Sequence, residues 1–142
     1  MAFGARFFGS YEHSLDAKGR VFLPAKLRSP FAAGAYLTPH LEGCLALWTG
    51  EEFEQEIALR LTQADSSAEA RNETREWSAA VFETTLDSQG RIVVPARLRD
   101  YSGLQQDVLI IGSINRLELW SPEHWAAKAA APNALRAGSS SR

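Results

Sequence analysis

Residues 14–28 read SLDAKGRVFLPAKLR, and residues 85–99 read TLDSQGRIVVPARLR. The two stretches align without a gap at an offset of 71, and 8 of the 15 positions are identical. The identities are Leu15/Leu86, Asp16/Asp87, Gly19/Gly90, Arg20/Arg91, Pro24/Pro95, Ala25/Ala96, Leu27/Leu98 and Arg28/Arg99. The likeness resumes at residues 45–48, LALW, and 117–120, LELW, now at an offset of 72. The chain is therefore read as two copies of one supersecondary unit sharing a core.

Inside each copy, Asp-x-x-Gly-Arg lies between residues that read as strand, 11–15 and 20–23 in the first. Aspartate opening a type I turn accepts hydrogen bonds from the backbone N–H groups that follow it. Glycine at the fourth position takes the left-handed conformation that closes a hairpin with a bulge. Asp16 with Gly19, and Asp87 with Gly90, are thus expected to form tight turns. After the second strand, Pro24 and Pro95 stand where a helical turn begins. That turn points Leu27 and Leu98 inward and Lys26, Arg28, Arg97 and Arg99 outward.

Each Trp is followed by a helix start. Thr49-Gly50-Glu51-Glu52 has the spacing of a capping box, and Ser121-Pro122 offers an N-cap with proline behind it. Ser66 with Glu69 marks a further helix in a polar, acidic linker. Trp48 and Trp120 are expected to anchor the core beneath the helices that follow them. The expected organisation is a first repeat at 1–60, a helical linker at 61–80, a second repeat at 81–131 and a flexible tail at 132–142. Phe3, Phe7, Phe8 and Tyr11 are candidates for packing on a neighbouring subunit.

The net charge of −2 argues at first against nucleic acid as a partner, but its distribution argues the other way. Residues 14–28 carry four basic and one acidic side chain, +3, and residues 85–99 carry three and one, +2. The remainder holds 8 basic and 15 acidic side chains, −7, so two basic blocks sit in an acidic body. Such a distribution orients a protein on DNA. Arg20 and Arg91 follow the turn glycine, where a turn requires no particular side chain. They serve either a structural ion pair or a ligand contact. An arginine fork matches O6 and N7 of guanine, and a two-stranded ribbon fits the major groove.

Other functions find less support. Aspartic-protease chemistry needs Asp-Thr/Ser-Gly, whereas two residues separate Asp16 and Asp87 from their glycines. His13, His40, His124 and Cys44 have none of the spacings of zinc sites, although strand continuity places His13 near the basic face. No phosphate loop, nucleophile elbow or redox pair is present, so no cofactor, metal, catalytic residue or small-molecule substrate is expected. The single cysteine and the lack of a long apolar run predict a cytoplasmic chain with no membrane partner. Seven Phe, four Trp and three Tyr leave room for an oligomeric scaffold whose repeats serve only assembly.

The paired Leu-Asp-x-x-Gly-Arg and Pro-Ala-Lys/Arg-Leu-Arg blocks, with the two Leu-x-Leu-Trp segments, resemble the MraZ family of bacterial transcriptional regulators. The likeness covers about residues 8–125. That family belongs to the AbrB/SpoVT-like superfamily. The resemblance implies an α+β fold, a pseudo-twofold β-barrel of two swapped-hairpin repeats with peripheral helices, assembled as a homo-oligomeric ring. It implies a nucleoid-associated regulator of double-stranded DNA that binds closely spaced G-rich direct repeats upstream of the division and cell-wall gene cluster. The family's DNA-contacting arginine maps onto Arg20 and Arg91, and its basic turn position onto Lys18, which is Gln89 in the second copy. Lys26, Arg28, Arg97 and Arg99 complete the expected DNA-facing set. Some members of the superfamily act as antitoxins, but no toxin-binding tail is visible here.

Overall fold

The computed structural model describes residues 4–130, so Phe3 and the tail expected at 132–142 lie outside the described residues. The first half runs β1 (Ser10–Ser14), β2 (Arg20–Phe22), two single 3-10 turns (Ala25–Leu27 and Ser29–Phe31), β3 (Ala35–His40), β4 (Cys44–Thr49) and α1 (Gly50–Ala64). Helix α2 (Ala68–Ala80) leads to the second half. There follow β5 (Phe82–Thr84), β6 (Arg91–Val93), α3 (Ala96–Ser102), β7 (Asp107–Gly112), β8 (Leu117–Trp120) and α4 (Pro122–Ala130). The halves differ after the repeated proline. Pro30 has no N–H to donate to the Lys26 carbonyl as a continuous α-helix requires, so two 3-10 turns stand where α3 runs unbroken from Ala96 to Ser102.

The strands form an antiparallel six-stranded sheet ordered β1-β7-β8-β4-β3-β5 and a separate two-stranded ribbon of β2 and β6. The sequence suggested that each turn joins two mutually paired strands. Instead, each half's first strand lies on the other half's sheet: β1 pairs with β7, and β5 with β3. The short second strands pair with each other across the halves, with Val21 opposite Ile92. A lone hairpin cannot bury Val21 or Ile92, whereas the ribbon places both against the core, 0% and 1% exposed. The six-stranded sheet is open, with β1 and β5 at its edges, and does not itself close into the expected barrel.

Strand alternation builds two cores. Leu45, Leu47, Leu117 and Leu119 join Leu37, Ile110 and the ribbon's inner face in the main cluster, together with Leu27 and Leu98. Ala46 and Trp48 face the opposite side, where Phe53, Ile57 and Trp77 of the α1–α2 pair cover them. β4 is consequently buried along its whole length. Phe7 lies in the main core, stacked on Phe31 at 5.3 Å, while Phe8 is exposed. Trp48 and Trp120 are both buried, as the sequence suggested.

Two predicted caps form as read: Thr49 accepts from the Glu52 N–H at 3.3 Å and Ser121 from the His124 N–H at 3.0 Å. In the linker the cap is Ser67, one residue after the expected Ser66, accepting from the Ala70 N–H at 2.9 Å. Buried Thr38 accepts the Trp48 indole N–H at 3.0 Å. Thr38→Val keeps the shape but orphans that donor, and is expected to cost about 1–3 kcal/mol of stability in a urea titration.

Candidate nucleic-acid interface

Both turns build as their residues dictate. The Asp16 N–H donates to the Arg20 carbonyl at 2.9 Å and the Gly19 N–H to the Asp16 carbonyl at 3.0 Å, and Asp87, Gly90 and Arg91 repeat both bonds. Oδ1 of Asp16 accepts from the backbone N–H groups of Lys18 and Arg20, and Oδ1 of Asp87 from those of Gln89 and Arg91, all at 2.9 Å. Gly19 and Gly90 sit at φ +76° and +84°, the left-handed region that closes such a turn.

The same carboxylates hold the arginines. Arg20 Nε donates to Asp16 Oδ2 at 2.8 Å, and Arg91 Nε to Asp87 Oδ2 at 2.7 Å. Arg91 also reaches across the halves, with Nη1 3.9 Å from Asp16 Oδ2. Of the two roles open in the sequence, the ion pair is therefore real, but it is lateral and solvent-accessible. The arginine side chains are 29% and 18% exposed and the aspartates 35%. Each short bond uses the Nε edge of a five-donor group, so Arg20 keeps both terminal nitrogens to donate end-on, while Arg91 shares Nη1 with its longer contact to Asp16.

Ribbon register brings the two copies together. Arg20 is opposite Val93 and Phe22 opposite Arg91, so all four share the face away from the core. Diagonal neighbours in such a pair are roughly 7–8 Å apart. The Arg91 guanidinium also lies 5.6 Å from the centre of the Phe22 ring. Lys18 and Gln89 are exposed at the turn tips.

Backbone N–H bonds from Arg20 and Arg91 hold the Asp16 and Asp87 carboxyls below the ordinary aspartate range, with the guanidinium bonds adding to this. A carboxyl whose folded pKa is depressed stabilises the fold above its unfolded value, and that contribution is lost as pH falls toward the folded one. The melting temperature should therefore fall below about pH 4. Calorimetry of Asp16→Asn/Asp87→Asn should show a shallower acid slope than the parent chain.

A family model described as "MraZ protein, putative antitoxin-like" matches residues 6–76 and 79–137, one turn in each stretch. The chain belongs to the MraZ family. Among curated relatives, the protein named Transcriptional regulator MraZ of Heliobacterium modesticaldum is 42% identical over 124 residues, covering 84% of each chain. That of Natranaerobius thermophilus is 43% identical over 123 residues, covering 84% of this chain and 83% of its own. That of Nocardioides sp. is 40% identical over 119 residues with the same coverage. MraZ is a family of transcriptional regulators, not of enzymes.

In this MraZ chain the remaining basic residues divide into two kinds. Lys26 and Arg97 are exposed, as expected: Lys26 lies 5.2 Å above the Tyr11 ring, and Arg97 donates to the Ala79 carbonyl at 3.4 Å. Arg28 and Arg99 depart from the expected outward orientation. They are half-buried; Arg28 Nε donates to the Leu23 carbonyl at 2.8 Å, and Arg99 Nη1 donates to the Val94 carbonyl. Each then crosses to the other half's turn: Arg28 covers Gly90, and Arg99 covers Gly19, where a β-carbon would collide with the guanidinium. Their reciprocal bracing was detectable in the sequence only as one more repeated arginine. His13 lies within the field of Arg28; burial first, and then that charge, lowers its pKa.

Proposed function

We propose that this chain is a sequence-specific DNA-binding transcriptional regulator whose β2–β6 ribbon enters the major groove of double-stranded DNA. The observation that carries the reading is the pair Arg20 and Arg91 on one outward ribbon face, each oriented by its own turn aspartate. Pre-orientation reduces the side-chain entropy lost on binding, and the outward ends of the two forks suit guanine O6 and N7. Lys18, Lys26 and Arg97 would approach phosphates from the rim of the ribbon. Arg28 and Arg99 take the role of holding the turns.

The names of the relatives and the two basic blocks support the same reading. The target is then the closely spaced G-rich direct repeats of a division and cell-wall promoter, bound by a homo-oligomeric ring in the nucleoid. One module of this size gains specificity by being repeated along the DNA. The exchange of first strands between halves would make the sheet and ribbon an open form of the swapped-hairpin barrel. Each repeat unit, 1–60 and 81–131, then depends on the other for its core, with 61–80 as the connector.

A mobility shift with a G-rich direct-repeat duplex against a scrambled duplex, at several salt concentrations, tests the reading. Preference for the G-rich duplex that survives rising salt supports it. Equal affinity for both leaves only phosphate attraction, and the scaffold reading would replace it.

A further inference from the structure

The outward face of the ribbon is not wholly polar. Phe22 and Val93 are 42% and 40% exposed, and they occupy the same position in the two copies, two residues beyond the arginine. An antiparallel pair with one buried face ordinarily turns polar side chains to water on the other. Here each strand presents a forked cation and then an apolar group, and neither Phe22 nor Val93 belongs to either core cluster. Because the strands run antiparallel, each apolar group stands directly opposite an arginine of the other half.

We propose that Phe22 and Val93 are specificity-determining residues that contact the 5-methyl groups of thymines beside the guanines read by Arg20 and Arg91. This rests on the proposed function, in which the ribbon lies in the major groove. The thymine methyl is the apolar feature of the major-groove floor, and it separates T from C at a position where an arginine alone reads only the neighbouring guanine. The chain-borne requirement is an apolar side chain held beside the fork, and the ribbon supplies one for each.

The two positions are also unequal. Phe22 is broad and carries the Arg91 guanidinium against its ring at 5.6 Å, while Val93 is small and offers Arg20 no ring. Lys18 against Gln89 at the turn tips adds to the difference. A pseudo-twofold site with unlike halves favours one orientation on the duplex. That geometry suits direct repeats, since an exact twofold would read an inverted one equally well.

Fluorescence anisotropy of the full chain on a G-rich direct-repeat duplex with thymines flanking the guanines supplies the test. The comparison duplex carries deoxyuridine at those thymines, which removes the methyl groups and nothing else. Binding is expected to weaken about four-fold for each contacted methyl lost. Val93→Ser and Phe22→Ser remove the apolar group from the exposed face of the ribbon and leave no methyl to meet a thymine. Each should bind the thymine duplex more weakly than the parent chain and respond less to deoxyuridine. A parent chain that prefers the G-rich duplex over a scrambled one but binds thymine and deoxyuridine forms equally overturns this proposal and leaves the proposed function standing. A chain with no preference for the G-rich duplex overturns both.

Discussion

Arg20→Ala is expected to lower affinity for the G-rich duplex by about 1–3 kcal/mol, and Arg91→Ala by a similar amount. The affinity of the double substitution should fall by roughly 30- to 30,000-fold if the contacts act independently. Thermal melting should change little, because Asp16 and Asp87 keep their bonds from the backbone N–H groups that define the turns. Arg20→Lys distinguishes the kind of contact. Lysine preserves the charge but not the fork, so loss of specific affinity with an unchanged salt slope marks a base contact. Lys18→Ala should instead weaken all duplexes alike and reduce the salt slope by about one. If Arg20→Lys binds as tightly as the parent chain, Arg20 is a phosphate ligand and the role assigned to it is wrong.

Gly19→Val should damage the fold, with Gly90→Val behaving alike. Valine at φ +76° or +84° enters a region that its branched Cβ tolerates poorly, at about 1–3 kcal/mol. Its Cβ would also meet the guanidinium of Arg99 at position 19, and of Arg28 at position 90. At position 19 the Val94 carbonyl oxygen would be 3.1 Å away as well. Overpacking of that kind adds roughly 1–3 kcal/mol, giving a total of about 2–6 kcal/mol in a denaturant titration. Two further variants apportion the loss. Gly19→Asn relieves the backbone part, because asparagine accepts left-handed geometry, and should retain only the steric cost. Gly19→Ala combined with Arg99→Ala should cost less than the sum of the two single changes, since the guanidinium that meets the new Cβ is gone. Additive losses would mean that Arg99 does not brace the first-half turn.

Much of the candidate site was legible because its rules are local. Asp16 and Gly19 specify a turn through bonds that span four residues, and the second copy at Asp87 and Gly90 repeats the reading independently. The helix starts at Thr49 and Ser121 followed the same logic, and the slip from Ser66 to Ser67 shows its resolution, since adjacent serines offer the same oxygen. The roles of the arginines were less legible. Helical spacing alone places Arg28 and Arg99 beside Lys26 and Arg97 on the outside, yet their guanidiniums turn inward to carbonyls at the strand ends. Nothing within a few residues of either arginine discloses the glycine it covers, 62 and 80 positions away.

By itself the sequence determined the duplication, the two turns, the helix caps and the placement of Arg20 and Arg91 directly after a turn. Only the tertiary structure decided which strands pair, that β2 finds β6 and that β1 and β5 cross to the opposite half. It also decided that the sheet stays open and that Phe22 and Val93 face the arginines across the ribbon. The reason lies in the duplication. Two copies with one apolar pattern present equivalent partners to any given strand, so local preference cannot choose between its own copy and the other. Burial of Val21 and Ile92 against a common core makes that choice, and a core exists only once both copies are folded together.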